Sequence, residues 1–346
     1  MPLSKIQGIE AQVVPNLGRR NVIINGAKNI DQRGFGGGAA YYTIASTGNI
    51  FNVDRWATFV SQASKIGVAQ QSGTADVPNT DFKYSSKVTS LSAFSAASGD
   101  YFGYNTTLEV NDVQHFGFGT SSPKQFTISF WVKSSLTGNF GLAIRVKPSS
   151  PARSFVTTYT INTANTWEYK TLTLTAESNT AWTAQGAKGS GFNLWFDLGT
   201  GSDFHGTANQ YNAGNKTNPS GTVSLVATNA ATWQITGVQV ELGNEATEFE
   251  HRPAAEELNL CQRYFYKENY TTAGPFGTQY ETGHKFIHLF HPTTMRAIPT
   301  STVSYAGGTQ TQYHSTDKHF KSYISSAYND TTQRYLTAYQ ADAELS

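Results

Sequence analysis

Strict two-residue alternation of apolar and polar side chains marks the middle of the chain. In "QFTISFWV", Phe126, Ile128, Phe130 and Val132 fall on one side, as a half-buried strand requires. "LAIRV" repeats the pattern with Leu142, Ile144 and Val146. "GFNLWFDL" repeats it with Phe192, Leu194, Phe196 and Leu198, and "YKTLTLT" adds Leu172 and Leu174. Gly, Ser, Asn and Pro punctuate these runs, so the pattern predicts two packed antiparallel sheets, read here as a jelly roll. The run from Trp233 to Leu242 changes phase. Trp233 and Ile235 share one parity while Val238, Val240 and Leu242 share the other, and a bulge at Gly237 would supply the extra residue.

Outside this block the pattern weakens. "FNVDRWATFV" reads as a strand containing Trp56, and "RGFGGGAA" as a flexible turn leading into β-like "YYTIAS". Residues 200–222 hold almost no aliphatic side chain and read as a long exposed loop. Pro253, the early Glu256 and Glu257, and Arg263 give "HRPAAEELNLCQRYF" the polarity of a short helix. Beyond it, "HKFIHLFHPTTMRAIPTSTVSY" and "KHFKSYISSAY" return to β pattern. The expected class is all-β: a jelly-roll β-sandwich, a short helical connector and a small C-terminal β-rich domain. The expected boundaries are 1–20 for an N-terminal attachment segment, 21–252 for the sandwich, 253–263 for the connector and 264–346 for the last domain. Leu3, Ile6 and Val13 form a thin apolar stripe in the first segment, too small to fold alone.

Composition sharpens this reading. Charged residues are only 14% and aromatics 13%, so Ser, Thr, Asn, Gln and Gly carry the surface, as in short strands joined by turns. A net charge of +1 with no basic cluster argues against a nucleic-acid partner. No run is apolar enough for a membrane span and "MPLSKIQGIE" lacks the apolar core of a signal peptide, so a soluble protein without membrane insertion is expected. The single cysteine, Cys261, excludes an internal disulfide framework and reads as an inert buried thiol.

Candidate chemistry is sparse. Trp131 and Trp195 sit out of phase with the apolar faces, Trp195 beside Asn193 and Asp197. An outward indole flanked by polar side chains suits stacking on the apolar face of a sugar, so Trp131, Trp195, Asn193 and Asp197 are the candidate glycan contacts. The plainer account is that a loop, the other domain or a partner subunit covers both indoles. His284 and His288 lie about 13 Å apart along a strand, too far to share one metal. No cofactor is expected; a structural calcium held between carboxylates such as Asp54 and Glu241 is the weak metal candidate of a jelly roll. No paired carboxylates, nucleophile motif or phosphate loop is present, so no catalytic residue is expected.

The stretches "RRNVIINGAKNIDQRG", "VDRWATF", "FTISFWVKSSLTGNF", "NTWEYKTLTL", "WQITGVQVELGNEATEFEHRPAAEELNLCQRYF" and "LTAYQADAELS" resemble, in this order, a family of tail fibre or virion structural proteins of tailed phages. The resemblance runs from Asn21 to Ser346. It implies a carbohydrate-binding-module-like jelly roll with a small C-terminal β domain, assembled as a homotrimer. It also implies attachment to other virion proteins through the first residues, and transfers no catalytic residue. The expected function is a non-enzymatic virion component, assembled in the bacterial host cytoplasm and displayed on the particle exterior. A tail fibre or fibre-like protein that adsorbs to host-surface polysaccharide is the leading form. The alternative is a head or tail decoration protein with purely structural subunit contacts and no glycan binding.

Overall fold

Phe126, Ile128, Phe130 and Val132 are all fully buried in the strand Gln125–Ser134, and their alternation sets the inner face of a sheet. The computed structural model describes residues 19–146, 152–178, 188–270, 278–280, 284–306, 310–325 and 335–345. Leu3, Ile6 and Val13 lie outside the described residues.

The first sheet orders its six strands as Tyr42–Thr43, Ile66–Gln71, Ser85–Ser90, Thr232–Leu242, Gln125–Ser134 and Glu168–Thr175. The second orders seven as Gln210–Ala213, Arg153–Ile161, Gly138–Val146, Ser190–Asp197, Phe102–Glu109, Ala57–Val60 and Gly48–Phe51. Neighbouring strands run antiparallel, and between the sheets lies one apolar core. Leu142, Ile144 and Val146 meet Phe192, Leu194, Phe196 and Leu198 there, all fully buried. The expected phase change is a bulge: the register to the strand Gln125–Ser134 shifts between Thr236 and Gln239, and Gly237 adopts φ 61°. Trp233 and Ile235 before it, and Val238 and Val240 after it, therefore all point inward.

Two expectations change in detail. The "FNVDRWATFV" stretch is not one strand but a corner, because Arg55 takes φ 67° and splits it into the antiparallel pair Gly48–Phe51 and Ala57–Val60. The 200–222 stretch is not simply a loop. Its residues Gln210–Ala213 form an edge strand on Arg153–Ile161, with Tyr211 edge-on to Phe155 at 5.2 Å, and its Thr217 and Asn218 are buried. An edge strand needs only one apolar contact, which is why its composition hid it.

The helix Ala254–Gln262 follows the sandwich, with Pro253 at its N-cap and Arg263 at its C-cap. Glu257 in its first turn is buried and accepts the Asn25 backbone N–H and an Arg252 N–H, which ties the helix back to the start of the sandwich. Cys261 is a buried free thiol, and burial pushes its pKa well up. A second, smaller apolar cluster then forms around Ile287, Met295, Phe320, Leu336 and Tyr339. Its sheets order Phe265–Asn269, Tyr335–Asp342 and Thr300–Ala306 in one, and Thr278–Tyr280, His284–Phe290, His319–Ser325 and Gln310–Ser315 in the other. The molecule is thus all-β, a jelly-roll sandwich joined by a short helix to a smaller β unit. No helix among the described residues is long and apolar enough to cross a membrane.

Candidate functional site

The outer side of the first sheet carries an aromatic cup. Trp131 and Tyr169 are direct cross-strand partners on Gln125–Ser134 and Glu168–Thr175, with ring centroids 5.2 Å apart. Phe82, Phe249 and His251 build the adjoining wall, with centroids 5.3 Å between Phe82 and Phe249 and 4.8 Å between Phe249 and His251. The open cavity between them is about 560 Å³, and Asn79, Asp81, Thr247 and Glu248 are its polar lining. Such a volume suits a small ligand, and rings mixed with hydroxyl, amide and carboxylate groups suit one with both apolar and hydroxylated faces.

Local structure explains how five rings from distant parts of the sequence meet. At Gly237 a Cβ would sit 2.7 Å from the Phe82 ring and 3.2 Å from Trp131, so the bulge glycine leaves the space both rings fill. The strand emerging from that bulge ends in a turn pinned by Glu241. Its carboxylate accepts the Thr247 N–H at 2.8 Å, the Thr247 hydroxyl at 2.7 Å and the Gln239 amide at 2.8 Å. The Glu250 N–H in turn donates to Gln239 Oε1 at 2.8 Å. This network holds residues 246–251 against the sheet as the far wall of the cup.

Glu241 therefore takes N–H and O–H donors rather than a cation. Asp54, its expected calcium partner, also faces donors: Gln32 N at 2.6 Å, Gln32 Nε2 at 2.7 Å and, at 3.8 Å, Arg33 Nη1. Burial pushes its carboxyl up to about 7. Among the described residues no group of three or more His, Cys, Asp or Glu side chains is arranged to hold a metal ion. The calcium pairing of Asp54 with Glu241 does not fit these surroundings.

The expected glycan contacts divide. Trp131 lines the cup, half-buried, with Tyr169 beside it 41% exposed. Trp195, Asn193 and Asp197 do not join it. Alternation does turn Trp195 away from the core of the sandwich, but the indole is fully buried on the outer side of the second sheet. Gly103 on the neighbouring strand, opposite Asp197, makes room for it, since a Cβ there would come within 2.0 Å of the indole. Phe59 packs edge-on at 6.0 Å, and the Arg145 guanidinium lies 4.8 Å above the ring. A ring with no free face cannot stack on a sugar. Asn193 is buried beside it, its amide donating to Asn105 Oδ1 at 2.8 Å and Thr107 Oγ1 at 3.0 Å.

Asp197 is also fully buried, accepting from the Thr200 hydroxyl, the Gly199 N–H and the Asn218 amide, and so anchors the 200–222 stretch. Burial pushes its carboxyl from the ordinary 3.8 up to about 7. The folded chain then holds this proton where the unfolded chain has released it. The contribution of Asp197 to stability is full below about pH 4 and declines as pH rises towards 7. The shift corresponds to a ceiling of about 4 kcal/mol at 1.36 kcal/mol per unit. Urea unfolding of the native chain and of Asp197→Asn should show the variant gaining relative stability between pH 4 and 7. A stability difference independent of pH would mean that Asp197 is ionised throughout.

No protein-family description matches the chain, and no curated protein matches it by sequence. Partial structural likenesses exist. The enzymatically active domain of bacteriophage CBA120 tailspike protein 4 is 16% identical over 58% of this chain and 21% of that one, with a TM-score of 0.32. The chain thus spans about a fifth of that tailspike chain. A putative sugar binding protein from Bacteroides thetaiotaomicron aligns over 65% of this chain and all of its own, at 10% identity and a TM-score of 0.33. The CBM22-2 xylan-binding domain of Paenibacillus barcinonensis Xyn10C aligns over 56% and 94%, at 14% identity and a TM-score of 0.31.

Proposed function

We propose that this chain is a non-enzymatic phage virion protein, of tail fibre or fibre-like type, that contacts host-surface glycan through the cup around Trp131. The observation that carries the glycan reading is the meeting of Trp131, Tyr169, Phe82, Phe249 and His251 in one open cavity rimmed by Asn79, Asp81, Thr247 and Glu248. Exposed aromatic rings offer flat apolar surface at little conformational cost, and polar neighbours take the hydroxyls of a pyranose. The virion assignment rests on the motif order from Asn21 to Ser346. A homotrimer on the particle exterior would repeat the cup, and linked weak sites gain avidity through effective concentration.

Electrophoresis of the purified chain through gels containing host envelope polysaccharide tests this reading. The native chain should be retarded, and Trp131→Ala should weaken binding roughly 30-fold, corresponding to about 2 kcal/mol for a central aromatic anchor. Tyr169→Ala should weaken it in the same direction. Equal retardation of native and Trp131→Ala chains would remove the cup from the proposal. Under the decoration-protein reading, Trp131 and Tyr169 would instead become protected in the assembled oligomer, with no polysaccharide retarding any form of the chain.

A further inference from the structure

The exposed side of the second unit's sheet gathers three imidazoles. His288 on His284–Phe290 and His314 on Gln310–Ser315 both stand opposite Lys321 on the central strand His319–Ser325, while Phe290 stands opposite His319. Residues directly opposite in antiparallel strands share a face. His319 is the hub of the group, with ring centroids 4.9 Å from His288 and 5.9 Å from His314. Phe290, 71% exposed, closes the group at 4.4 Å from His288.

We propose that His288 and His319 form a two-imidazole site for a borderline divalent transition metal, of the Zn²⁺, Ni²⁺ or Cu²⁺ class. Ligand distance supports this pairing. At a metal–nitrogen distance of about 2.0–2.1 Å, two imidazole centroids about one metal lie roughly 4.5 Å apart at a right angle and about 5.2 Å apart at the tetrahedral angle. The 4.9 Å spacing of His288 and His319 falls between these values, whereas His314 at 5.9 Å lies outside them.

The surroundings prepare His319 for this role. Thr316 Oγ1 lies 3.2 Å from its Nδ1, and the same hydroxyl oxygen accepts the His319 backbone N–H at 3.0 Å. With Nδ1 held by Thr316, Nε2 is the nitrogen left to take a metal, an arrangement common among metal-binding histidines. His291 nearby is a contrast. Its Nε2 meets the Tyr339 hydroxyl at 2.7 Å and its Nδ1 faces the Asp317 carbonyl at 3.3 Å, so both nitrogens are engaged in a buried site. Among the described residues no third ligand converges with the pair, so the remaining coordination positions stay open to water or to groups brought by another molecule. Lys321 stands beside His288 and its charge opposes a cation, which sets a further expectation.

Isothermal titration of the untagged full chain with NiCl₂, and separately with ZnCl₂, tests the site. One ion should bind per chain. His288→Ala and His319→Ala should each weaken binding at least about tenfold, as loss of one of two ligands requires. His205→Ala should leave binding unchanged, and Lys321→Ala should tighten it. Both ligand positions lie on an exposed sheet face, and unchanged thermal unfolding of the metal-free variants would show that folding is intact. Failure of either ion to bind up to about 1 mM, or full binding by a His288→Ala/His319→Ala double variant, would overturn the proposal.

Discussion

Glu344→Ala should destabilise the folded chain by about 3–5 kcal/mol, the cost of stranding buried charge. Glu344 is 2% exposed at its side chain and ties together two arginines from the far end of the sequence. Its carboxylate pairs with the 3%-exposed Arg55 and, at 3.2 Å, with Arg33. Both guanidiniums are also roofed by rings that follow the connecting helix: Arg55 lies 3.5 Å over Tyr264, and Arg33 lies 3.6 Å over Phe265. Arg263 adds a contact to Glu109 of the sandwich at 2.9 Å. Removing the carboxylate strips the buried Arg55 guanidinium of its ion-pair partner, while Arg33 keeps Asp54 at 3.8 Å and Asp342 at 3.6 Å. Glu344→Gln should cost less, because the amide keeps the volume and an acceptor oxygen. Urea unfolding of the three proteins at pH 7 checks the order. Stabilities within about 0.5 kcal/mol of one another, the usual range for surface substitutions, would show that the joint does not depend on this charge.

Trp56→Ala should cost a similar amount, about 3–5 kcal/mol, as expected for truncating a large buried aromatic. The indole is fully buried, stacked on Tyr104 at 5.2 Å with an 8° angle between planes, and its N–H donates to the Asn25 carbonyl at 3.0 Å. It also covers Lys28, whose Nζ lies 3.0 Å from the ring centroid and has no hydrogen-bond acceptor among the described residues. Burial pushes the Lys28 amine well below its ordinary value. The unfolded chain then binds a proton that the folded chain has given up, so this group's contribution to stability rises with pH towards its unfolded pKa of about 10.4. Lys28→Met should flatten that rise while keeping the volume over Trp56. Chemical denaturation at pH 7 and pH 9.5 measures both effects. A Trp56→Ala chain as stable as the native one would contradict the packing described here.

The sandwich was legible because its signal is local. Each inward face is written in alternate residues of one strand, and the Gly237 bulge announces itself as a change of parity within eleven residues. The short helix was equally plain from Pro253, Glu256, Glu257 and Arg263. What escaped depends on partners far away in sequence. Trp195 looks outward in its own strand, and only Gly103, Phe59 and Arg145 reveal that its face is filled. Trp131 was readable as an outward ring, but Phe82, Phe249 and His251 reach it through a turn held by Glu241. No spacing rule places these residues together. The Arg55–Glu344 pair spans 289 positions, beyond the reach of any local pattern.

The most direct test of the glycan-binding account replaces the six tryptophans with 5-fluorotryptophan and follows their fluorine resonances as host-surface oligosaccharide is added. Single Trp→Phe variants assign the signals. The account predicts that the Trp131 resonance moves with saturating dependence on sugar while the buried Trp195, Trp56 and Trp233 resonances stay in place. Sugar binding that leaves Trp131 unmoved would contradict it, as would no shift in any resonance with an oligosaccharide from a polysaccharide that retards the native chain.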